Sequence, residues 1–370
     1  MTYVMRKYES LNGLRAIAAI GIVLMHVRAN IDVSVSDSFL YTHVIGKMSD
    51  FVFLFMIVSA FSLCCGYYDR FKNGCISLND FYKRRYNRIL PFFAILVLIS
   101  IAIPHSPNKA ALTKASVSLL GSSGYPPFVE SIFEGFTELT LSYGLLPNPT
   151  MSIMGVGWFL GVIFLFYMLF PYFVFMMDNK RRAWKSLIIA NVVCFITVEY
   201  FYSDKFLCYE IVPRNFMYNV PFFVLGGVIF LYKDFIEKIV TRYKLICLAI
   251  CFLLTLGYWL SSVFMVGYWA VIIISVVMGA WMTFAIGPTS SVLHNRFVDY
   301  LSGISMEIYL CHMMSFWAVS MLHLSRYIQC PDVLYWMTCL LTLVVSVIFS
   351  HIVKYMFLPK VEPYLFKSSK

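Results

Sequence analysis

Ten long apolar stretches dominate this chain, at residues 11–28, 50–68, 89–104, 156–177, 186–202, 216–232, 245–262, 268–287, 301–323 and 334–357. A helix needs about 20 apolar residues to cross the hydrocarbon of a bilayer. Backbone polar groups in lipid must be paired within the segment, so helices are the expected form of such runs. Composition agrees: 60% of the 370 residues are hydrophobic and 13% are charged, against roughly 45–50% and ~25% in soluble domains. Mean hydropathy is +0.77. The expectation is an all-α polytopic membrane protein of about ten transmembrane helices, one domain over residues 1–370 with no second soluble domain. Disorder, collagen, a coiled coil and a secreted disulfide scaffold are excluded by the same balance.

The net charge of +10 would suggest nucleic acid in a soluble chain; here its distribution matters more than its sum. With the N-terminus inside, the inner segments hold 20 of the 29 basic residues. Among them are Arg6 and Lys7, the group from Arg70 to Arg88, Lys180 to Lys185, and Lys233 to Lys244. Seven lie in outer segments or their borders: Arg28, Lys47, Lys109, Lys114, Lys205, Arg214 and Arg326. Arg15 and Lys354 lie within spans. This bias places both termini in the cytoplasm and gives the basic loops anionic lipid and cytoplasmic anions as partners. No nucleic acid is needed. The stretch from Leu11 to Val27 resembles a signal sequence, but it contains Arg15 and no small-x-small cleavage site, so it reads as an uncleaved first span.

Ten cysteines are scattered, mostly inside apolar runs, and no C-x-x-C pair occurs. Neither a metal site nor a disulfide framework is indicated; Cys208 and Cys330 both fall in outer segments where a bridge would be allowed. The longest outer segment, from about His105 to Gly155, is rich in Gly, Pro and Ser. It reads either as a cover over an outer pocket or as a passive loop. Its weakly apolar part from Phe133 to Leu146 suits a re-entrant or interfacial helix. No internal repeat is evident, which counts against transporter folds built from duplicated halves.

Ionisable groups inside spans are costly and mark candidate sites. Arg15 and His26 are eleven residues apart, ~1100° of helix or about three turns, so they share one face roughly 16 Å apart along the axis. Two readings stay open on spacing alone: Arg15 snorkelling to headgroups with His26 in a packing contact, or a cation and a titratable imidazole lining one site. The inner loop 79–91 carries Arg84, Arg85 and Arg88, whose guanidinium forks suit phosphate; ordinary positive-inside topology explains them equally. In the ninth run, Glu307 and His312 are five residues apart, about 140° on a helix, so they face different neighbours. Glu199 in the fifth run is a weaker candidate. The fourth run has Trp158, Tyr167 and Pro171 but no acid. No Gly-rich phosphate loop, G-x-S-x-G elbow or metal spacing appears.

Together these fragments resemble the membrane acyltransferase-3 family of bacterial surface-glycan O-acyltransferases. LNGLRAIAAIGIVLMH resembles the family's L-D-G-L-R-x10-H opening, through Arg15 and His26. FVFLFMIVSAF resembles F-F-x-x-S-G-F, through Ser59 and Phe61. FYKRRYNRILP resembles R-x-x-R-x-x-P through Arg85, Arg88 and Pro91. GWFLGVIFLFYMLFP resembles W-x-L…F-Y-x-x-x-P, and LSGISMEIYLCHM resembles G-x-x-S-x-x-I-Y-L-x-H. The matches follow the family's order from the first run to the ninth. Asn12 stands where the family usually has Asp, and Ala60 where it has Gly. Ile163 and Phe164 stand where many members carry Glu, which leaves Glu307 or Glu199 as substitutes. The chain resembles the stand-alone form without an SGNH domain.

The resemblance implies a multi-pass protein of the bacterial cytoplasmic membrane. It would move an acyl group, most often acetyl, from cytoplasmic acyl-CoA to a sugar hydroxyl of a surface glycan or lipid-linked sugar outside. By the same resemblance, Arg84, Arg85 and Arg88 would hold the CoA phosphates and Arg15 would bind the donor. His26 would be the general base, with either direct transfer or an acyl-enzyme relay. Ser59, Trp158, Glu307, Tyr309 and His312 would line the substrate; no metal is implied. The competing readings are a transporter or flippase for a sugar or lipid-linked metabolite, and a non-catalytic export partner on the same fold. An R-x10-H face beside a basic inner dock favours the enzyme.

Overall fold

The computed structural model describes residues 8–31, 38–102, 135–145, 155–201, 213–261, 267–288 and 293–360. Among them no strand occurs, and every apolar run falls on a helix. The helices are α1 (Ser10–Asn30), α2 (Phe51–Lys72), α3 (Leu78–Ala102), α4 (Trp158–Met176), α5 (Lys180–Ile196) and α6 (Phe216–Leu231). They continue with α7 (Lys233–Arg242), α8 (Lys244–Leu260), α9 (Tyr268–Ile286), α10 (Arg296–Gly303), α11 (Ser305–Ser320) and α12 (Pro331–His351). π-helical turns extend three of them: Leu40–Ile45 ahead of α2, Thr197–Phe201 after α5 and Ile352–Phe357 after α12.

Six of these helices, with their extensions, are long and apolar enough to cross a membrane: Ser10–Asn30, Leu40–Lys72, Trp158–Met176, Lys180–Tyr200, Tyr268–Ile286 and Pro331–Lys360. A seventh is obtained if α6 and α7, bent 75° at their junction, count as one span. The other three runs differ from the simple spans expected of them. The third lies in α3, whose first half carries the basic cluster. The seventh lies in α8, of 17 residues. The ninth is broken at Ile304, which separates α10 from α11.

Two segments expected as loops are helical. Residues 79–91 belong to α3, because Ser77 caps its start by accepting the Asp80 N–H at 3.0 Å with Asp80 itself in the first turn. A side-chain cap of this kind replaces a missing intrahelical partner. The basic stretch 233–242 forms α7 in the same way that a turn of chain folds back on a span. Asn side chains cap α5 (Asn179 to Arg182 N, 3.0 Å), α6 (Asn215 to Met217 N, 2.7 Å) and α10 (Asn295 to Phe297 N and Val298 N).

The bundle centres on α2, which packs most extensively against α6. Phe53 stacks on Phe222 with ring centroids 4.4 Å apart, and Phe166 of α4 stacks on Phe223 at 4.2 Å. Large side chains also point outward, among them Leu245 and Leu253 of α8 and Ile188 and Ile189 of α5. Lipid is as apolar as the interior, so such a face needs no polar cover.

The basic ends of several helices are gathered together. Lys72 at the end of α2 lies 3.0 Å from Asp178, which also faces Arg182 at 3.6 Å. The Lys72 ammonium draws the exposed Asp178 carboxyl below its ordinary range. Tyr68 donates to Met177 O at 2.9 Å, and Trp184 of α5 donates to the Tyr232 hydroxyl at 3.1 Å. At the opposite end, the buried Lys47 donates to the carbonyls of Tyr258 and Ser261 at 2.6 and 2.7 Å. The Tyr258 hydroxyl donates to buried Asp50. This polar cluster fastens the end of α8 to the start of α2, and it gives Lys47 a structural place rather than a loop position.

Gly13 shows why the LNGLR opening has glycine. A Cβ there would sit 2.6 Å from Leu293 O and 2.7 Å from Leu293 Cα, closer than atoms can pack, and backbone cannot move aside as a side chain tip does. We expect Gly13→Val to lower stability by about 1–3 kcal/mol or more through overpacking. The measurement is a thermal unfolding scan in detergent. A midpoint equal to that of the parent protein would show that this approach of α1 to residue 293 is not tight.

Candidate active site

Two clusters lie along the face of α1 that the eleven-residue spacing defined. Both Arg15 and His26 are half-buried. Around Arg15 the structure brings together α2, α3 and α4. Arg15 donates to Ser62 Oγ at 2.7 Å, and both Arg88 and Tyr167 lie within its electrostatic reach. Arg85 donates to the Tyr67 hydroxyl at 2.8 Å, with its guanidinium over the rings of Tyr67 (4.9 Å) and Tyr167 (5.9 Å). Such cation–π contacts hold a guanidinium plane without neutralising it.

Among the described residues no carboxylate pairs with Arg15, Arg85 or Arg88. Like charges brought together repel, and an anion placed among them would relieve that repulsion. The Arg85 Nε is buried without a partner among the described residues. Arg84 and Arg88 are both exposed, and of the three arginines expected to hold phosphate Arg85 is the half-buried one.

Around His26 the partners come from α11 and α4. The His26 and His312 rings have centroids 4.9 Å apart, tilted by 42°. His312 is fully buried, and its Nδ1 lies 2.6 Å from the Tyr309 carbonyl. The Tyr309 hydroxyl donates to Val156 O at 2.9 Å, beside the half-buried Trp158 that opens α4. Phe55 of α2 and Phe159 of α4 pack on the Tyr309 ring. Tyr335 of α12 donates to Leu24 O at 3.1 Å and steadies α1 one half-turn before His26.

The clusters are connected through α2. Phe55, Ser59 and Ser62 follow the i, i+4, i+7 pattern of one helix stripe, and all three are half-buried. Phe55 touches the Tyr309 end and Ser62 the Arg15 end. Ser59 therefore sits between the arginine cluster and the imidazoles.

Glu307 and His312 point to different neighbours, as their 140° separation requires. Glu307 is buried, and its Oε1 lies 2.5 Å from Lys354 Nζ. Lys354 also donates to Gly303 O at 2.5 Å, at the break between α10 and α11. Glu307 thus has its partner inside the protein, on a helix away from the His26 ring. Glu199 is exposed in the π-helical turn after α5, so it does not replace an interior carboxylate. Ile163 and Phe164 are buried as core residues, with Phe164 edge-on to Tyr86. Cys330 is exposed, while Cys208 lies outside the described residues. Residues 105–134 and 146–154 of the long outer segment lie outside them as well.

Two residues near the site escaped the sequence reading. Arg214, counted only as an outer basic residue, lies within electrostatic reach of both His26 and Tyr309. It precedes α6 in a turn held by buried Asn219, which donates to Pro213 O and Asn215 O at 2.8 Å each. Glu138 is fully buried, within electrostatic reach of Tyr143. Residues 135–139 and Ser142–Leu145 form short helical turns. They dock on the start of α4, where the Tyr143 hydroxyl accepts the Gly161 N–H at 2.7 Å and donates to Gly157 O. An acid inside the weakly apolar stretch from Phe133 to Leu146 was the signal for Glu138. For Asn12 the structure supplies a reason: it donates to Asp299 at 2.8 Å, next to His294, which lies between Asp299 and Glu9. An aspartate at that position would add a third carboxylate to the cluster. No group of three metal-ligating side chains occurs among the described residues.

The family model of the acyltransferase domain matches residues 8–354. The chain belongs to the acyltransferase-3 family. It is a multi-pass membrane acyltransferase, with an acyl donor and an acceptor as its two substrates. This acyltransferase is 24% identical over 199 residues to an uncharacterized protein of Haemophilus influenzae, covering 50% of this chain and 76% of that protein. No solved structure matches it. The family match spans both clusters, from Arg15 to His312, and extends to Lys354.

Proposed function

We propose that this acyltransferase takes an acyl group, acetyl in the first instance, from cytoplasmic acyl-CoA and places it on a sugar hydroxyl of an extracytoplasmic glycan or lipid-linked sugar. The observation that carries this reading is the gathering of Arg15, Arg85 and Arg88 without a carboxylate at one end of the α1 face, with the His26–His312 pair at the other. In this reading the chain crosses the bacterial cytoplasmic membrane ten times with both termini inside. The basic end faces the cytoplasm, where CoA phosphates meet the arginines and Arg84 meets the solvent-facing phosphate. The acyl arm extends past Ser59 toward His26, and Trp158 and Tyr309 line the acceptor side.

Chemistry at His26 then follows from ordinary acyl transfer. The acceptor oxygen attacks the thioester carbonyl as neutral His26 takes its proton. The tetrahedral intermediate collapses, the C–S bond breaks, and the departing CoA sulfur takes the proton back from His26. The products are the sugar ester and CoA thiol.

The test is binding and turnover of labelled acetyl-CoA by the purified protein in lipid vesicles, with a glycan-bearing envelope fraction as acceptor. The expected result is label in the glycan and release of CoA. Arg15→Ala and Arg88→Ala should each weaken donor binding roughly 10- to 150-fold, the loss of one charged hydrogen bond of about 1.5–3 kcal/mol. No binding of acetyl-CoA by the parent protein would overturn the proposal and bring the transporter reading forward.

A further inference from the structure

We infer that His312 is a positioning residue for His26: its Nε2 accepts a hydrogen bond from a His26 ring N–H and so turns the other His26 nitrogen, with its lone pair, toward the reacting hydroxyl. This rests on the proposed role of His26 as base and adds to it a second imidazole with an assigned tautomer.

The tautomer follows from geometry. A carbonyl oxygen can only accept, so the 2.6 Å contact to Tyr309 O places a hydrogen on His312 Nδ1. In the neutral ring the lone pair is then on Nε2. That nitrogen is buried and has no partner among the described residues. A buried acceptor without a donor is unfavourable, and interiors retain one chiefly where a ligand or a moving proton uses it.

His26 is the titratable ring that faces it. With centroids 4.9 Å apart, a small rotation about the His26 side chain brings a ring nitrogen to hydrogen-bond distance of His312 Nε2. A neutral imidazole has one N–H. Once it is given to His312, the second nitrogen is necessarily the unprotonated one. When that nitrogen takes the acceptor's proton, the new positive charge is shared with the His312 lone pair, and the proton is returned to the CoA sulfur as the C–S bond breaks. No additional proton donor or acceptor enters the balance.

The chain of support extends one residue further in each direction. Tyr309 fixes His312 through its carbonyl and fixes the start of α4 through its hydroxyl. The same residue thereby sets the distance between the imidazole pair and Trp158. The ionisable groups near the pair are Arg214 and the Tyr309 phenol.

The experiment compares His312→Asn, His312→Gln and the parent protein for acetyl-CoA binding and for CoA release in glycan-bearing membrane vesicles. Asparagine keeps a donor near Nδ1 but has nothing at Nε2. It should lower kcat by about 10²-fold, the small end of the range for a general base, with donor Kd unchanged. The glutamine side chain places a carboxamide oxygen near Nε2 and should restore kcat to within about tenfold of the parent. A parent-like kcat in His312→Asn would overturn the inference, as would equal losses in both variants. A second measurement needs no variant: nitrogen NMR of histidine-labelled parent protein should show His312 protonated at Nδ1 and His26 in one tautomer. Two tautomers of His26 in comparable amounts would overturn it even if both variants failed to fold. A parent protein that binds no acetyl-CoA would instead remove the proposed function, and the tautomer measurement would still decide the pairing of the rings.

Discussion

His26→Ala should lower acyl transfer by about 10²–10⁴-fold, about 3–5.5 kcal/mol of barrier, while donor binding stays within a few-fold of the parent protein. The separation is expected because the arginine mouth lies some 16 Å away along α1, on Ser62, Tyr67 and Tyr167 rather than on the imidazole pair. Binding and chemistry are therefore read independently by one substitution. The measurement is a donor titration in vesicles followed by CoA release under saturating donor. A variant that loses binding together with turnover would show that His26 holds the α1 face in shape. A variant with parent-like turnover would remove His26 from the chemistry.

Lys354→Met should destabilise the protein by about 3–5 kcal/mol, because it strands a buried carboxylate. Glu307 has a side chain only 6% exposed, and its Oε2 is buried with no partner among the described residues. The Lys354 ammonium at 2.5 Å is therefore its main compensation. The same ammonium closes the carbonyl of Gly303 where α10 gives way to α11. Replacing both partners, as Lys354→Met with Glu307→Leu, should return stability to near that of the parent, since an apolar pair removes both desolvation terms. Thermal unfolding in detergent checks both. A single variant as stable as the parent, or a double variant as unstable as the single one, would contradict the argument. Activity of the double variant then asks separately whether Glu307 also meets substrate, as its place in the ISMEIYLCH segment suggested.

Much of the architecture was legible without coordinates, because hydrocarbon permits little beyond helices and long apolar runs mark them. All ten runs are helical. The finer reading of each run was harder. Residues 79–91 look like a basic loop in composition, yet Ser77 caps them into α3. The ninth run reads as continuous but breaks at Ile304. A loop and a helix that projects past the membrane surface carry the same charges, and only capping geometry separates them. The shared face of Arg15 and His26 followed directly from 3.6 residues per turn, and so did the divergence of Glu307 from His312.

What those faces meet was another matter. In a soluble helix the apolar stripe names the inward side, but here lipid and core are equally apolar and the pattern gives no inward direction. Hence Glu307, read as substrate-facing, meets Lys354; His312, five residues on, meets His26. Glu138 and Arg214 come from segments with no strong signal and arrive near Tyr143 and His26 only because the chain packs there. The sequence by itself determined that this chain is built of apolar helices with a cation and an imidazole on one face of the first, since periodicity within one helix is a local property. Which imidazole stands opposite His26, and which ammonium closes over Glu307, was decided by the rotation of each helix against its neighbours, a property of side-chain packing that no single helix contains.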